Sequence, residues 1–126
     1  MERVLIPGLS GSGWPYEVYT VTIDGRQYLT WEQDYVWGLH ELTTDGLPRF
    51  EDEHWAMIGF TDEGFFDHWK LRGDGWDAVR DDQFVAVWVG SGELLTATLP
   101  DDLLACAQQS HGAWSMAEEQ RRGGAA

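Results

Sequence analysis

The side chains able to do acid–base chemistry are few, and their spacing is weak in meaning. His40, His54, His68 and His111 include no pair at the spacing that places two imidazoles on one face of a helix for a metal. Asp67 is the carboxyl with the most suggestive setting. It stands in Phe65–Leu71 (FFDHWKL), where strand alternation puts it on the same face as Phe65, Trp69 and Leu71, and an apolar setting raises a carboxyl pKa towards acid–base use. His54 and His68 flank the Thr61-Asp62-Glu63-Gly64 link on what read as facing strands. Asp67, His54 and His68 are therefore the catalytic set if the protein is an enzyme. A metal at His54 and His68, completed by Glu53 or Asp67, needs a slipped register, and partly exposed strand histidines are the commoner outcome. No metal and no cofactor is expected.

Other chemistry-bearing patterns fall away on inspection. Glu51-Asp52-Glu53 lacks the alternating oxygens and the glycine of a calcium loop and reads as solvated charge. Gly8–Gly13 is glycine-rich but lacks the Gly-Lys-Ser/Thr ending of a phosphate loop, and there is no G-x-S-x-G elbow. The lone cysteine, Cys106, falls in the apolar part of the last expected helix, the setting of an inert thiol, and excludes an intramolecular disulfide. Arg72-Gly73-Asp74 is explained by its turn residues.

Charge and tryptophan content say more. Against 22 Asp and Glu there are 8 Lys and Arg, a net charge of −14 over 126 residues. Such a balance excludes direct binding of nucleic acid or an anionic membrane surface. Between Glu32 and Asp67 ten acids (Glu32, Asp34, Glu41, Asp45, Glu51, Asp52, Glu53, Asp62, Glu63, Asp67) meet one base, Arg49. The chain also holds 8 Trp, more than a core of this size hides, because tryptophan is seldom fully buried. Trp37 lies off the expected helix stripe, and Trp14 and Trp76 lie in loops, so these are the rings expected to face outwards.

Acids interspersed with rings are what a protein needs to grip a basic partner, since complementary charge speeds encounter and buried rings supply affinity. The favoured reading is a non-catalytic binding protein that blocks a basic, nucleic-acid-binding protein target, as an immunity protein or phage-type inhibitor would. Its partner surface comprises Glu32, Asp34, Glu41, Asp45, Glu51, Asp52, Glu53, Asp62, Glu63 and Trp37. The rival is a small α+β barrel with an aromatic-lined pocket, acting as a cyclase, isomerase or small-ligand carrier. Self-association through strand edges and tryptophans is a third possibility.

These residues need elements to hold them. Tyr16–Ile23 (YEVYTVTI) and Gln27–Trp31 read as strands joined by Asp24-Gly25, a dipeptide suited to a tight hairpin turn. From Trp31 the period changes: Trp31, Tyr35, Leu39 and Leu42 fall at helical spacing, with Thr30 as N-cap and Gln33 as its capping-box partner, predicting a helix that ends by Thr43–Pro48. His54–Phe60 with Phe65–Leu71, and Gln83–Val89 with Glu93–Leu99, predict two further hairpins. A short helical piece is expected at Trp76–Arg80. Pro100-Asp101-Asp102 opens a last helix with a Leu103, Ala107, Ser110, Trp114, Ala117 stripe, which Gly112 is placed to split.

The predicted fold class is thus α+β: a single antiparallel, curved or partly closed β-sheet built from three hairpins, with a helix after the first hairpin and a C-terminal helix. One domain spans 1–126, with an N-terminal strand or loop over 1–15 and a frayed tail over 120–126. No apolar run is long enough for a membrane helix and the start lacks the apolar stretch of a secretory signal, so a cytoplasmic protein is expected.

Overall fold

The computed structural model of the chain describes residues 1–4, 17–61, 79–80, 82–95 and 97–123. Among the described residues six strands form one antiparallel sheet whose spatial order follows the sequence. They are β1 (Glu2–Val4), β2 (Val18–Ile23), β3 (Arg26–Gln33), β4 (Val36–Glu41), β5 (Trp55–Phe60) and β6 (Phe84–Trp88), with a short 3₁₀ turn at Asp52–His54 leading into β5. One helix, α1 (Asp101–Gly123), follows. Among the described residues the sheet is open, with β1 and β6 at its edges, and does not close into a barrel.

The first hairpin forms where Asp24-Gly25 predicts it. Both residues take the left-handed conformation, with φ of 52° and 79°, and Ile23 pairs with Arg26 across the turn.

The helix predicted after that hairpin is absent. The chain instead turns at Asp34-Tyr35 and returns as β4, so that Trp31 pairs with Gly38, Glu32 with Trp37 and Gln33 with Val36. Asp34 and Tyr35 have φ of 51° and 70°, repeating the conformation of Asp24-Gly25 with a tyrosine in place of the glycine. Cross-strand pairing shows why the helical spacing was a coincidence. Trp31 lies opposite Gly38 on one sheet face and Leu39 opposite Thr30 on the other, yet Trp31 and Leu39 are both buried. With apolar residues on both faces, the alternation that marks a strand is lost.

One further correction concerns the hairpins. Glu93–Leu99 is not a full strand: it makes one bridge, Leu94 to Val87, supported by Trp88 N–H donating to the Glu93 carbonyl and Leu95 N–H to that of Ala86. Phe65–Leu71, most of Trp76–Arg80 and most of the 1–15 segment lie outside the described residues. The described order is therefore six strands and one helix.

α1 runs unbroken through Gly112 for 23 residues, with Asp101 and Asp102 in its first turn and Arg121 and Arg122 in its last, the arrangement that suits its dipole. Leu103 and Ala107 pack with Tyr28, Trp37, Leu39, Ile58 and Ala86 on one face of the sheet. The opposite face carries Val18, Leu29 and Trp31 in one cluster and Val85 and Val87 in another. The chain amine of Met1 pairs with Asp102, tying the start of β1 to the start of α1. Among the described residues no helix is long and apolar enough to cross a membrane.

Candidate functional site

Strand register alone defines a pit on the sheet face opposite α1. Trp31, Gly38 and Met57 lie abreast on β3, β4 and β5. Val36 and His40 lie two residues to either side of Gly38 along β4, and therefore on the same face. Because Gly38 has no side chain, it forms a floor; Trp31 and Met57 wall it, and Val36 and His40 close its ends. The pit opens into a cleft of about 550 Å³ edged by Asp34 from the β3–β4 turn and by Phe50 and Asp52 from the segment before β5.

Stacked rings make up one end of this cleft. His40 pairs across the strands with Trp55, and its imidazole lies between two indoles: the Trp31 ring at 4.3 Å and 10°, the Trp55 ring at 5.2 Å and 2°. Phe50 leans across them, 5.9 Å from Trp31 and 5.2 Å from His40, and is 49% exposed. Ring contacts of this kind add to the burial they bring. They also fix the imidazole plane.

His40 is the unusual member. It is 4% exposed, and its Nδ1 lies 2.7 Å from the carbonyl oxygen of Arg49. A carbonyl can only accept, so Nδ1 carries the proton and donates, leaving Nε2 with a lone pair in the neutral ring. A Cβ placed on Gly38 would sit 3.4 Å from Nε2, so the Nε2 end of the imidazole lies over Gly38. No hydrogen bond reaches Nε2 from the described residues. Burial pushes the His40 pKa below the usual histidine range, with the Arg49 carbonyl opposing.

The acids expected to form a partner surface are only partly gathered. Asp34 and Asp52 line the cleft. Glu51 and Glu53, beside Asp52, are exposed, and Glu51 meets the Arg49 guanidinium at 3.5 Å. Asp45 is exposed in the turn after β4. Glu41 instead accepts from His54 Nδ1 at 2.8 Å. Its register with Tyr28 sets this pair on the α1 side of the sheet, away from the cleft.

Glu32 and Trp37 are drawn into the joint between sheet and helix. Trp37 Nε1–H donates to Ser110 Oγ at 2.9 Å, and the Ser110 hydroxyl donates to the Glu32 carboxylate. Trp37 was expected to face outwards, yet it is 8% exposed, because β4 points it at α1. Asp62, Glu63, Asp67 and His68 lie outside the described residues. Cys106 is free and half-buried, and burial pushes its thiol pKa up.

Sequence reasoning missed His40 and Gly38 as a pair. The available signal was a glycine inside an apolar run, which in a strand marks a bulge or a close approach, but the helical assignment concealed it. Comparison with known proteins brings no match: no family model, curated protein or solved structure matches the chain. The cleft's chemistry must therefore be read from its own groups. Ring faces, an imidazole lone pair and two carboxylates can hold a donor-rich, positively charged group. Among the described residues no group of three or more His, Cys, Asp or Glu is placed to hold a metal.

Proposed function

We propose that the protein is a non-catalytic binding module that captures a basic protein and blocks its working surface, one that ordinarily holds nucleic-acid phosphates. The observation that carries this reading is the position of Asp52. Flanked by Glu51 and Glu53, it edges a ring-walled cleft on the sheet face opposite α1. Carboxylates at such a rim speed encounter with a basic surface, and indole and phenyl faces supply the affinity once contact is made. The net charge of −14 acts in the same sense over longer range. Immunity proteins and phage-type inhibitors are roles that fit such a surface.

The test is a capture experiment with the immobilised chain and an extract of its own host. Retained proteins are expected to be basic, to elute with salt and to be displaced by duplex DNA or RNA. The triple change Glu51→Lys, Asp52→Lys, Glu53→Lys is expected to abolish retention. Retained proteins that are neutral or acidic, or retention indifferent to the charge reversal, would overturn the reading.

A small-ligand carrier is the second reading, favoured by one observation: a cleft volume of about 550 Å³ falls within the range of small-molecule sites, roughly 300–1,000 Å³. A catalytic version would rest on Asp67 and predicts that Asp67→Asn abolishes turnover while sparing the fold.

A further inference from the structure

We propose that the outer edge of β6 takes an added β-strand, supplied by an extended segment of a partner protein that carries lysine or arginine. This rests on the capture reading above for the charge of the partner and gives it a second point of contact. β6 is the last strand of the described sheet, and its backbone groups divide between two sides. In an antiparallel strand the N–H and C=O of one residue point the same way, and successive residues alternate. Val89 N–H donates to the Trp55 carbonyl and the Gln83 carbonyl accepts from Thr61, so Gln83, Val85 and Val87 face β5. Phe84, Ala86 and Trp88 face away from it. On that side Trp88 N–H donates to the Glu93 carbonyl and the Ala86 carbonyl accepts from Leu95 N–H. Beyond Leu95 the pairing stops. Ala86 N–H and both backbone groups of Phe84 meet no hydrogen-bonding partner among the described residues.

Ala86 is 2% exposed. A backbone donor buried without an acceptor is rare, because it costs about as much as a lost hydrogen bond. Beside it lies a groove of about 410 Å³, between β6 and residues 94–99 and bordered by α1 at Gln108. Phe84, Leu95 and Leu99 line it from the α1 side of the sheet, and Val85 and Leu94 from the opposite side. Unpartnered N–H and C=O groups along one strand edge are matched by an extended backbone, which presents both at the same spacing; a helix, whose backbone groups bond to each other, cannot match them. Apolar walls on both sides of the edge ask for apolar side chains on both faces of the added strand. Charge then selects its bearer. Among the described residues Asp82 is the one charged side chain lining the groove, and its contact with Arg80, 3.7 Å between exposed groups, is of a kind that contributes little. A second copy would bring another net charge of −14 against the first, and self-repulsion opposes it, whereas a basic segment is attracted.

The probe is the peptide acetyl-Lys-Val-Thr-Val-Lys-amide, added to the full chain while backbone amide exchange is followed by NMR. In the free chain Ala86 N–H is expected to exchange at least about tenfold faster than those of Val85 and Val87, which are bonded to β5. The peptide is expected to bind in the millimolar range and to slow Ala86 about tenfold at a concentration about ten times its Kd, leaving Val85 and Val87 unchanged. Two comparators are run: the same peptide methylated at every backbone nitrogen, which cannot donate, and acetyl-Glu-Val-Thr-Val-Glu-amide, of opposite charge. Both are expected to bind about tenfold more weakly or worse. Gln108→Trp places a large ring at an exposed position on the groove. It is expected to keep the melting temperature and lose most of the peptide affinity.

Three results in the unaltered chain overturn the proposal, whatever the variant does: an Ala86 amide as slow as Val85 and Val87 before peptide is added, undiminished binding of the methylated peptide, or equal binding of the acidic and basic peptides. A dimer in sedimentation whose Ala86 amide slows with concentration also overturns it, by making a second copy the occupant. The two levels of inference fail separately. Retention of basic proteins that survives Gln108→Trp but is lost on charge reversal at Glu51, Asp52 and Glu53 refutes the β6 contact and leaves the capture reading standing. Peptide binding at β6 with no basic protein retained from the extract upholds strand addition and refutes capture.

Discussion

Replacing Ser110 by alanine should loosen the helix from the sheet by an amount the hydrogen bonds set. The hydroxyl accepts from the Trp37 indole at 2.9 Å and donates to the Glu32 carboxylate. A neutral hydrogen bond contributes about 1 kcal/mol net and one to a charged group about 1.5–3 kcal/mol. Glu32 is half-buried, so water recovers part of its share, whereas Trp37 at 8% exposed leaves its N–H stranded. Alanine returns about 0.5 kcal/mol through its better helix propensity. The net cost expected is about 2 kcal/mol, large against a total stability of roughly 5–15 kcal/mol. Urea unfolding followed by tryptophan fluorescence should show a midpoint lower by about 1 M, taking a slope of about 2 kcal/mol per M, with the slope itself unchanged. Trp37→Phe removes the donor from the same bridge, so the double variant should cost less than the two single changes added together. A Ser110→Ala midpoint equal to the parent's, or strict additivity with Trp37→Phe, would refute the bridge.

Three other outcomes are expected. Tyr35→Gly should raise stability by about 0.5–1 kcal/mol, because a non-glycine residue at φ 70° costs about 1–2 kcal/mol and glycine's lost chain entropy returns about 0.5–1 kcal/mol of that; a lower melting temperature would show that contacts of the tyrosine ring outweigh its strain. Gly112→Ala should add up to about 1 kcal/mol, since a Cβ there meets nothing within 4 Å, and thermal denaturation checks it. His40 has a folded pKa below its ordinary value of about 6.5, so the unfolded chain takes up a proton first as pH falls. Its contribution to stability is therefore complete above about pH 6.5, is lost as pH drops from there through the lowered folded value, and is then constant. Chemical denaturation between pH 7.5 and 5 should show this loss in the parent and a smaller one in His40→Gln.

The fold was legible wherever local chemistry and global placement agreed. Asp24-Gly25 announced its hairpin because both residues tolerate the conformation it needs. The QFVAVWV run announced a strand with both sides covered, and Val85, Ala86 and Val87 are all buried. Asp101 and Asp102 announced the start of α1. The β3–β4 hairpin stayed hidden because its turn is Asp34-Tyr35, and no propensity favours a tyrosine in the left-handed region. The site suffered for the same reason. Asp34 and Asp52 were singled out for their charge and do line the cleft, whereas Gly38 and His40 acquire meaning only once β4 is a strand and its register places them side by side.

That one hairpin concentrates three local costs. Tyr35 holds a strained backbone, at about 1–2 kcal/mol. Gly38 interrupts a strand interior with a residue that packs nothing, at about 0.5–1 kcal/mol. His40 buries a ring nitrogen that no described residue satisfies, at about 1–3 kcal/mol. The neighbouring β2–β3 hairpin, built on the same turn conformation, has glycine where the turn requires it. Conflicts between local preference and global fold gather where a protein does its work, and all three lie on the strand and turn that shape the cleft. Relieving the tyrosine strain should stabilise the fold without touching the pit. A single substitution at Gly38 that raised stability and also preserved capture of a basic protein would break the link between these costs and function.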